Sequence, residues 1–321
     1  MLKAALKKEK KERPYAAPRA KTLGEEASKF GKISKPTNWL ITSILAIFTI
    51  LSALPFILVV MVSLSDGDSI ILYGFSFIPR AFSLEGYRVI FSDPAVIDAV
   101  GWSVLITVLG TLLGVFLMST FAYPLSRPDY RYRNFMTWLI LIPMLFGGGL
   151  IGHFVLMNNI LGLRNTVWAL ILPLAMSPFS VIILRTFYKM SIPPSLIESA
   201  HIDGASEWKI YRSIILPLSL PGIATIALFL TIGYWNDWFQ AMLFIDGRHI
   251  QPLQLLLVRI ENEIRFIIEN AHLLRADMVV DVASDAVRMA IVVVSTVPIL
   301  IIYPFFQRHF ISGMTVGAVK E

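Results

Sequence analysis

The chain has 321 residues, of which 56% are hydrophobic and only 16% charged, with a mean hydropathy of +0.68. That balance is too apolar for a soluble domain of this length and puts the chain in a bilayer. The absence of cysteine excludes a disulfide framework, a thiolate metal site and a cysteine nucleophile, and the net charge of +6 sits mostly in one tail, which argues against a nucleic-acid partner.

That tail, residues 1–37, carries eleven Lys and Arg against four Glu and reads as a disordered, solvated basic arm. It is no secretory signal: the apolar stretch that follows is too long and ends in no small-residue cleavage site. The remainder, residues 38–321, reads as an all-α polytopic domain. Six segments are long enough to span, at about 39–64, 99–125, 135–157, 167–184, 222–245 and 287–307. They must be helices, because a barrel would require short alternating strands. Short connections holding Arg127, Arg131 and Arg133, then Arg185, Lys189, Lys209 and Arg212, put those loops and both termini in the cytoplasm by the positive-inside rule. The connections 65–98 and 246–286 then face outward.

The first of these, with Phe75, Phe77, Ile78, Pro79, Phe82, Tyr87 and Phe91, is expected to pack on the ends of the spans. In the second, Leu256, Leu257, Ile260, Ile264, Ile267, Ile268 and Ala271 recur at helical spacing on one stripe. Arg259, Glu261, Glu263, Arg265 and Glu269 fill the other faces, so a helix over 253–274 should lie along a surface. Its stripe suits either its own bundle or an external partner.

No catalytic apparatus is legible. There is no phosphate-binding loop ending in Gly-Lys-Ser/Thr, no Gly-x-Ser-x-Gly elbow, and no metal spacing among His153, His201, His249, His272 and His309. The conspicuous feature is a polar island, 191–217, between apolar segments. Pro193 and Pro194 suit a helix start with Ser191 near its cap, a first helix over Ser195–Asp203 can end at Gly204, and a second can begin near Ser206. Ile197, Ala200, Ile202 and Trp208 are apolar anchors of the kind that seat a short helix in a partner's groove.

The spacing within the island is specific. Glu198-Ser199-Ala200, three residues, Gly204, nine residues, then Ile214-x-Leu216-Pro217 resembles the cytoplasmic signature of permease subunits of binding-protein-dependent ABC importers, usually written Glu-Ala-Ala. Ser199 is the one departure. The flanking Ile192-Pro193-Pro194-Ser195-Leu196 and Tyr234-Trp235-Asn236-Asp237-Trp238 are similar to the carbohydrate-uptake group, more narrowly to oligosaccharide importers, over about residue 39 to the C-terminus. The resemblance implies the type I importer permease fold in a bacterial cytoplasmic membrane. It also implies a sister permease, two ATPase subunits that bind ATP and Mg, and an extracellular solute-binding protein. The island would then be the coupling helix. Gly204 would set its bend, Glu198 and Asp203 its polar contacts, Ala200 a close approach to the ATPase, and Ser199 and Pro217 would complete the docking loop. Without the resemblance, an ion-coupled secondary transporter or an intramembrane enzyme is the competing class, but neither internal repeats nor a nucleophile–base pair is evident.

For a substrate path, polar and aromatic residues inside spans are informative because they are costly in lipid. Tyr234, Trp235, Asn236, Asp237, Trp238 and Gln240 offer flat faces for a sugar ring and partners for its hydroxyls. In a continuous helix Asn236 and Gln240 share a face, as do Tyr234 and Trp238. The same residues also suit an interfacial belt with polar groups stitching helices together. Gly147-Gly148-Gly149 predicts a loosened stretch in the third span, with His153 and Asn158 beyond it as further candidates.

Overall fold

The structure, a computed structural model, describes residues 34–270 and 285–318. Most of the basic arm and the stretch 271–284 lie outside the described residues. The chain divides into two units at Ile57 and Leu58. Helix α1 (Lys35–Ser63), whose residues up to 57 belong to the first unit, begins two residues before the expected edge of the tail. Its residues up to 57 expose apolar side chains such as Trp39, Phe48 and Leu51 on all sides, as a segment facing hydrocarbon does.

The second unit carries the remaining helices in chain order: α2 (Gly67–Tyr73), α3 (Glu85–Ser92), α4 (Pro94–Ser126), α5 (Arg133–Leu145), α6 (Gly149–Ile160), α7 (Trp168–Ala175) and α8 (Pro178–Ser191). After them come α9 (Pro194–Ile202), α10 (Glu207–Leu218), α11 (Leu220–Asn236), α12 (Phe239–Phe244), α13 (Leu253–Glu269) and α14 (Asp285–Ala318). Among the described residues there is no strand beyond one isolated bridge, Ser65 to Phe82.

The six spans are not six straight helices. Among the described residues, only α1, α4 and the first 20 residues of α14 are single helices long and apolar enough to cross. The third span breaks between α5 and α6 by 116°, the fourth between α7 and α8 by 46°, and the fifth is bent 79° from α10 at its start. Local chemistry accounts for the breaks. Gly149 takes φ +71 after an extended Phe146, and Ser177 accepts a hydrogen bond from Ser180 N to start α8 at Pro178.

Helix α4 is the spine, packing against α11, α8 and α7. Its buried face runs Ser103, Thr107, Gly110, Gly114, Met118 and Ala122, mostly small residues at three- and four-residue spacing. Inside a bilayer, apolar side chains gain nothing by leaving lipid for protein, so close backbone approach and van der Waals contact hold the helices together. An ideal Cβ on Gly114 would stand 2.9 Å from Leu230 Cδ1 and 3.1 Å from Ala175 O.

Helix α13 packs on its own bundle. Leu253, Leu255, Leu256 and Ile264 are buried against α4 and α14, and Arg288 of α14 clamps Glu261 through two bonds of 2.6 and 3.2 Å. The loop 65–98 packs on the bundle as expected, but mostly through other residues than those expected. It folds into α2 and α3, which pack through Ile70, Gly86 and Ile90, whereas Phe75, Phe77, Ile78, Phe82 and Phe91 remain about half exposed or more. Only Tyr87 joins the core, donating to or accepting from Ser63 Oγ at 2.8 Å.

Candidate functional site

The polar island folds as the sequence requires, within a residue. Helix α9 starts at Pro194 behind Pro193, so Ser191 is the last residue of α8 and not a cap. Asp203 ends it, and Gly204 takes φ +74. Ala205 N donates to Ala200 O at 2.9 Å and Gly204 N to His201 O at 3.0 Å, the paired bonds of a Schellman stop. Ser206 then caps α10 by accepting from Lys209 N, and a π-turn over Tyr211–Ile215 carries the chain to Pro217.

The two faces of α9 differ from the sequence expectation. Ile197 and Ala200 turn inward and are buried in the core with Ile192, Ile210 and Tyr211. They cannot anchor a partner, and the small size of Ala200 serves to seat α9 on its own bundle. The free face holds Glu198, Ser199, Asp203 and Gly204, with Ile202 87% and Trp208 59% exposed. A Cβ added at Gly204 would meet nothing within 4 Å.

Residues not singled out in the sequence fasten this turn to the spans. Glu207 accepts from Tyr123 OH of α4 through Oε2 at 2.5 Å and from His201 Nε2 through Oε1 at 2.8 Å. Ser119 Oγ, also on α4, bonds to Tyr188 OH of α8 at 2.7 Å and to Tyr211 OH of α10 at 2.8 Å. Because these groups are up to 92 residues apart, no local pattern announced them; an acid following a Ser cap was the only legible trace.

The second cluster is rearranged by a break. Helix α11 stops at Asn236, Asp237 is extended, and α12 starts at Phe239. The face-sharing of Asn236 with Gln240 and of Tyr234 with Trp238 is therefore lost, since it needs an unbroken helix. Tyr234 is buried with its hydroxyl donating to Ile171 O at 2.7 Å, and Trp235 is buried with Nε1 donating to Ser295 O at 2.9 Å. Both fasten α11 to its neighbours. Asn236 is exposed and donates back to Ile232 O at 2.9 Å.

Past the break, Asp237 Oδ1 accepts from Gln240 N at 3.1 Å, and Gln240 Oε1 accepts from His153 Nε2 at 3.0 Å. The His153 ring stands edge-on to Phe244 at 5.4 Å, while Trp238 is 42% exposed. His153 and Gln240 thus meet across 87 residues, next to the open, broken stretch at Gly147, Gly148 and Gly149. Asn158 lies apart from that pair in the π-turn of α6, donating to Asn159 Oδ1 at 2.6 Å. Among the described residues no group of three His, Asp or Glu is placed to hold a metal.

A polar staple joins the segment before α7 to the end of α12. Asp246 accepts from Arg164 at 2.8 Å and from Asn165 Nδ2 at 3.0 Å, while its own N–H donates to Asn165 Oδ1 at 2.9 Å. The Arg164 and Asn165 bonds hold the Asp246 carboxyl below the usual carboxylate range. A depressed folded-state pKa gives stability that is present above the unfolded value and is lost as pH falls through the folded one. Amides of residues 163–166 and 245–247 should accordingly lose exchange protection on acidification below the ordinary aspartate range, and Asp246→Asn should lower it already at neutral pH. Protection independent of pH and of that substitution would contradict the staple.

Three comparisons bear on identity. Residues 110–316 match the model of the binding-protein-dependent transport system inner membrane component family. The polygalacturonan/rhamnogalacturonan transport system permease protein YtcP of Bacillus subtilis (strain 168) is 40% identical over 289 residues, covering 88% of this chain and 98% of that one. Protein LplC of the same organism is 38% identical over 272 residues, covering 84% and 90%. The crystal structure of a bacterial ABC transporter involved in the import of the acidic polysaccharide alginate includes a chain that superposes with a TM-score of 0.75 at 26% identity, covering 87% of this chain and 99% of that one. With the family model spanning more than half of its length and the helical fold in agreement, this chain belongs to the family of binding-protein-dependent transport system inner membrane components.

Proposed function

We propose that this chain is one of two membrane-spanning subunits of an ATP-driven oligosaccharide importer, working with a sister permease, two ATPase subunits and an extracellular solute-binding protein. ATP and Mg belong to the ATPases. The names of the relatives support a carbohydrate cargo, and the observation that carries the mechanism is the α9–Gly204–α10 turn. Its outward face is free, and its inward face is bonded through Glu207 and Ser119 to the central helix α4. A push on the turn by an ATPase closing on ATP is then delivered to α4 as a rigid-body movement rather than absorbed locally. In this reading residues 191–217 and both termini are cytoplasmic, residues 1–37 form a cytoplasmic arm, and 65–98 and 246–286 face outward.

The sugar path runs past the α5–α6 and α11–α12 breaks, where irregular backbone in a bilayer has to line protein or a watery cavity. Trp238 supplies a ring to stack on a pyranose; Gln240, His153 and Asp237 supply partners for hydroxyls. Uptake of labelled oligogalacturonides in cells that depend on this permease is the test. Trp238→Ala and Gln240→Ala are each expected to lower uptake roughly tenfold, the loss of about 1.4 kcal/mol of binding, while Asn158→Ala leaves it unchanged. Wild-type uptake in both variants would move the path elsewhere.

A further inference from the structure

A cavity of about 660 Å³ opens where three membrane segments end together: α4 at Ser126, α5 at Arg133 and α8 at Ser191. Its walls include Arg127, Arg133, Lys189 and the inward side of α9. Arg127 is neutralised by Asp129 at 3.2 Å, and His201 is already engaged with Glu207. Arg133 and Lys189 are different. Neither forms an ion pair among the described residues, and Nε of Arg133 is buried without a hydrogen-bond partner. Arg185, one turn before Lys189 on α8, is near enough to Arg133 to repel it. Arg185 lies outside the lining, is partly exposed, and has no ion pair among the described residues, whereas Lys189 is exposed. Glu198 is the single carboxylate in the lining not tied to a cation.

A guanidinium with an open donor and an ammonium thus line a half-enclosed recess with no carboxylate paired to either, and an anion that enters relieves their repulsion. A phosphate fits it: guanidinium forks recognise phosphate oxygens in pairs, and lysine adds a point charge. The place of the recess names the source: it opens where α4, α5 and α8 end, and basic pockets between the ends of membrane helices meet anionic lipid headgroups. We infer that Arg133 and Lys189 form a site for a phosphate group, that of an anionic phospholipid headgroup, beside the α9 turn. The inference does not depend on the docking role of that turn.

The test uses the purified full chain reconstituted in an equimolar mixture of phosphatidylcholine and phosphatidylglycerol, with retained lipids identified by native mass spectrometry during delipidation. The wild type is expected to keep phosphatidylglycerol preferentially, Arg133→Gln to weaken that retention roughly tenfold, and Lys189→Gln to weaken it less. Arg212→Gln, which removes an exposed cation outside the cavity, should retain lipid like the wild type. Displacement of the lipid by inorganic phosphate at similar concentration would keep the phosphate site and assign it to a soluble anion; retention that phosphate does not reverse assigns it to the headgroup. Equal retention of phosphatidylcholine, or an Arg212→Gln loss as large as that of Arg133→Gln, overturns the site. So does a wild type that prefers neither lipid nor phosphate while Arg133→Gln weakens its hold on a co-purified subunit, because the recess is then a protein contact.

Discussion

Gly204→Val is expected to abolish solute uptake, by well over tenfold, in a chain that still inserts and accumulates. At φ +74 an L residue costs roughly 1–2 kcal/mol, and a β-branched one more, so the Schellman stop that sets the angle between α9 and α10 opens. The damage stays local, since the position looks onto open space and no core side chain is displaced. Gly204→Asn separates backbone from surface: asparagine tolerates this conformation and should keep the turn, so any remaining loss reports a side chain obstructing the docking proposed above. Uptake and ATP hydrolysis measured together give the distinction, because an undocked ATPase no longer answers to loaded binding protein. Normal uptake by a stably expressed Val variant would remove the turn from the mechanism.

The largest structural effect is expected at Gly110. An ideal Cβ there would stand 2.5 to 2.7 Å from three carbons of the Tyr234 ring, and the ring is pinned because its hydroxyl donates to Ile171 O. Gly110→Val therefore has to part α4 from α11 or break that bond, a cost of about 1–3 kcal/mol for overpacking and more where nothing yields. Thermal unfolding in detergent should show a marked drop. In a Tyr234→Leu background, Gly110→Ala should be far less harmful than in the wild type, with a coupling of about 1 kcal/mol or more between the two sites. Additive effects would mean that ring and glycine do not constrain each other.

The sequence carried much of the α9–α10 turn. A proline pair, a glycine and a serine cap write its ends in local chemistry, and the observed helices differ from expectation by a residue. It carried the stripe of α13 too, since Glu and Arg mark the faces turned away from the core. Gly110 and Gly114, four apart on an apolar helix, were a legible packing signal that the reading passed over. The inward and outward faces of α9 were not legible, because Ile197 and Ile202 are equally apolar and only packing separates 5% exposure from 87%. The face-sharing expected within residues 234–240 was lost for another reason: helical spacing was extended through Asp237, where the helix ends.

Composition and local pattern alone determined that the chain is a multi-pass helical membrane protein with a helix–turn–helix of fixed spacing between its fourth and fifth spans. Hydropathy measures the cost of moving each segment into lipid, and that cost is the same whether a helix runs straight or folds back. The glycine run had marked the loosened stretch between α5 and α6, but only the tertiary structure decided where α7–α8 and α11–α12 break, through a capping serine and an extended Asp237. It alone brought His153 to Gln240 and Glu207 to Tyr123, because hydrogen bonds between residues more than eighty positions apart leave no period in the sequence.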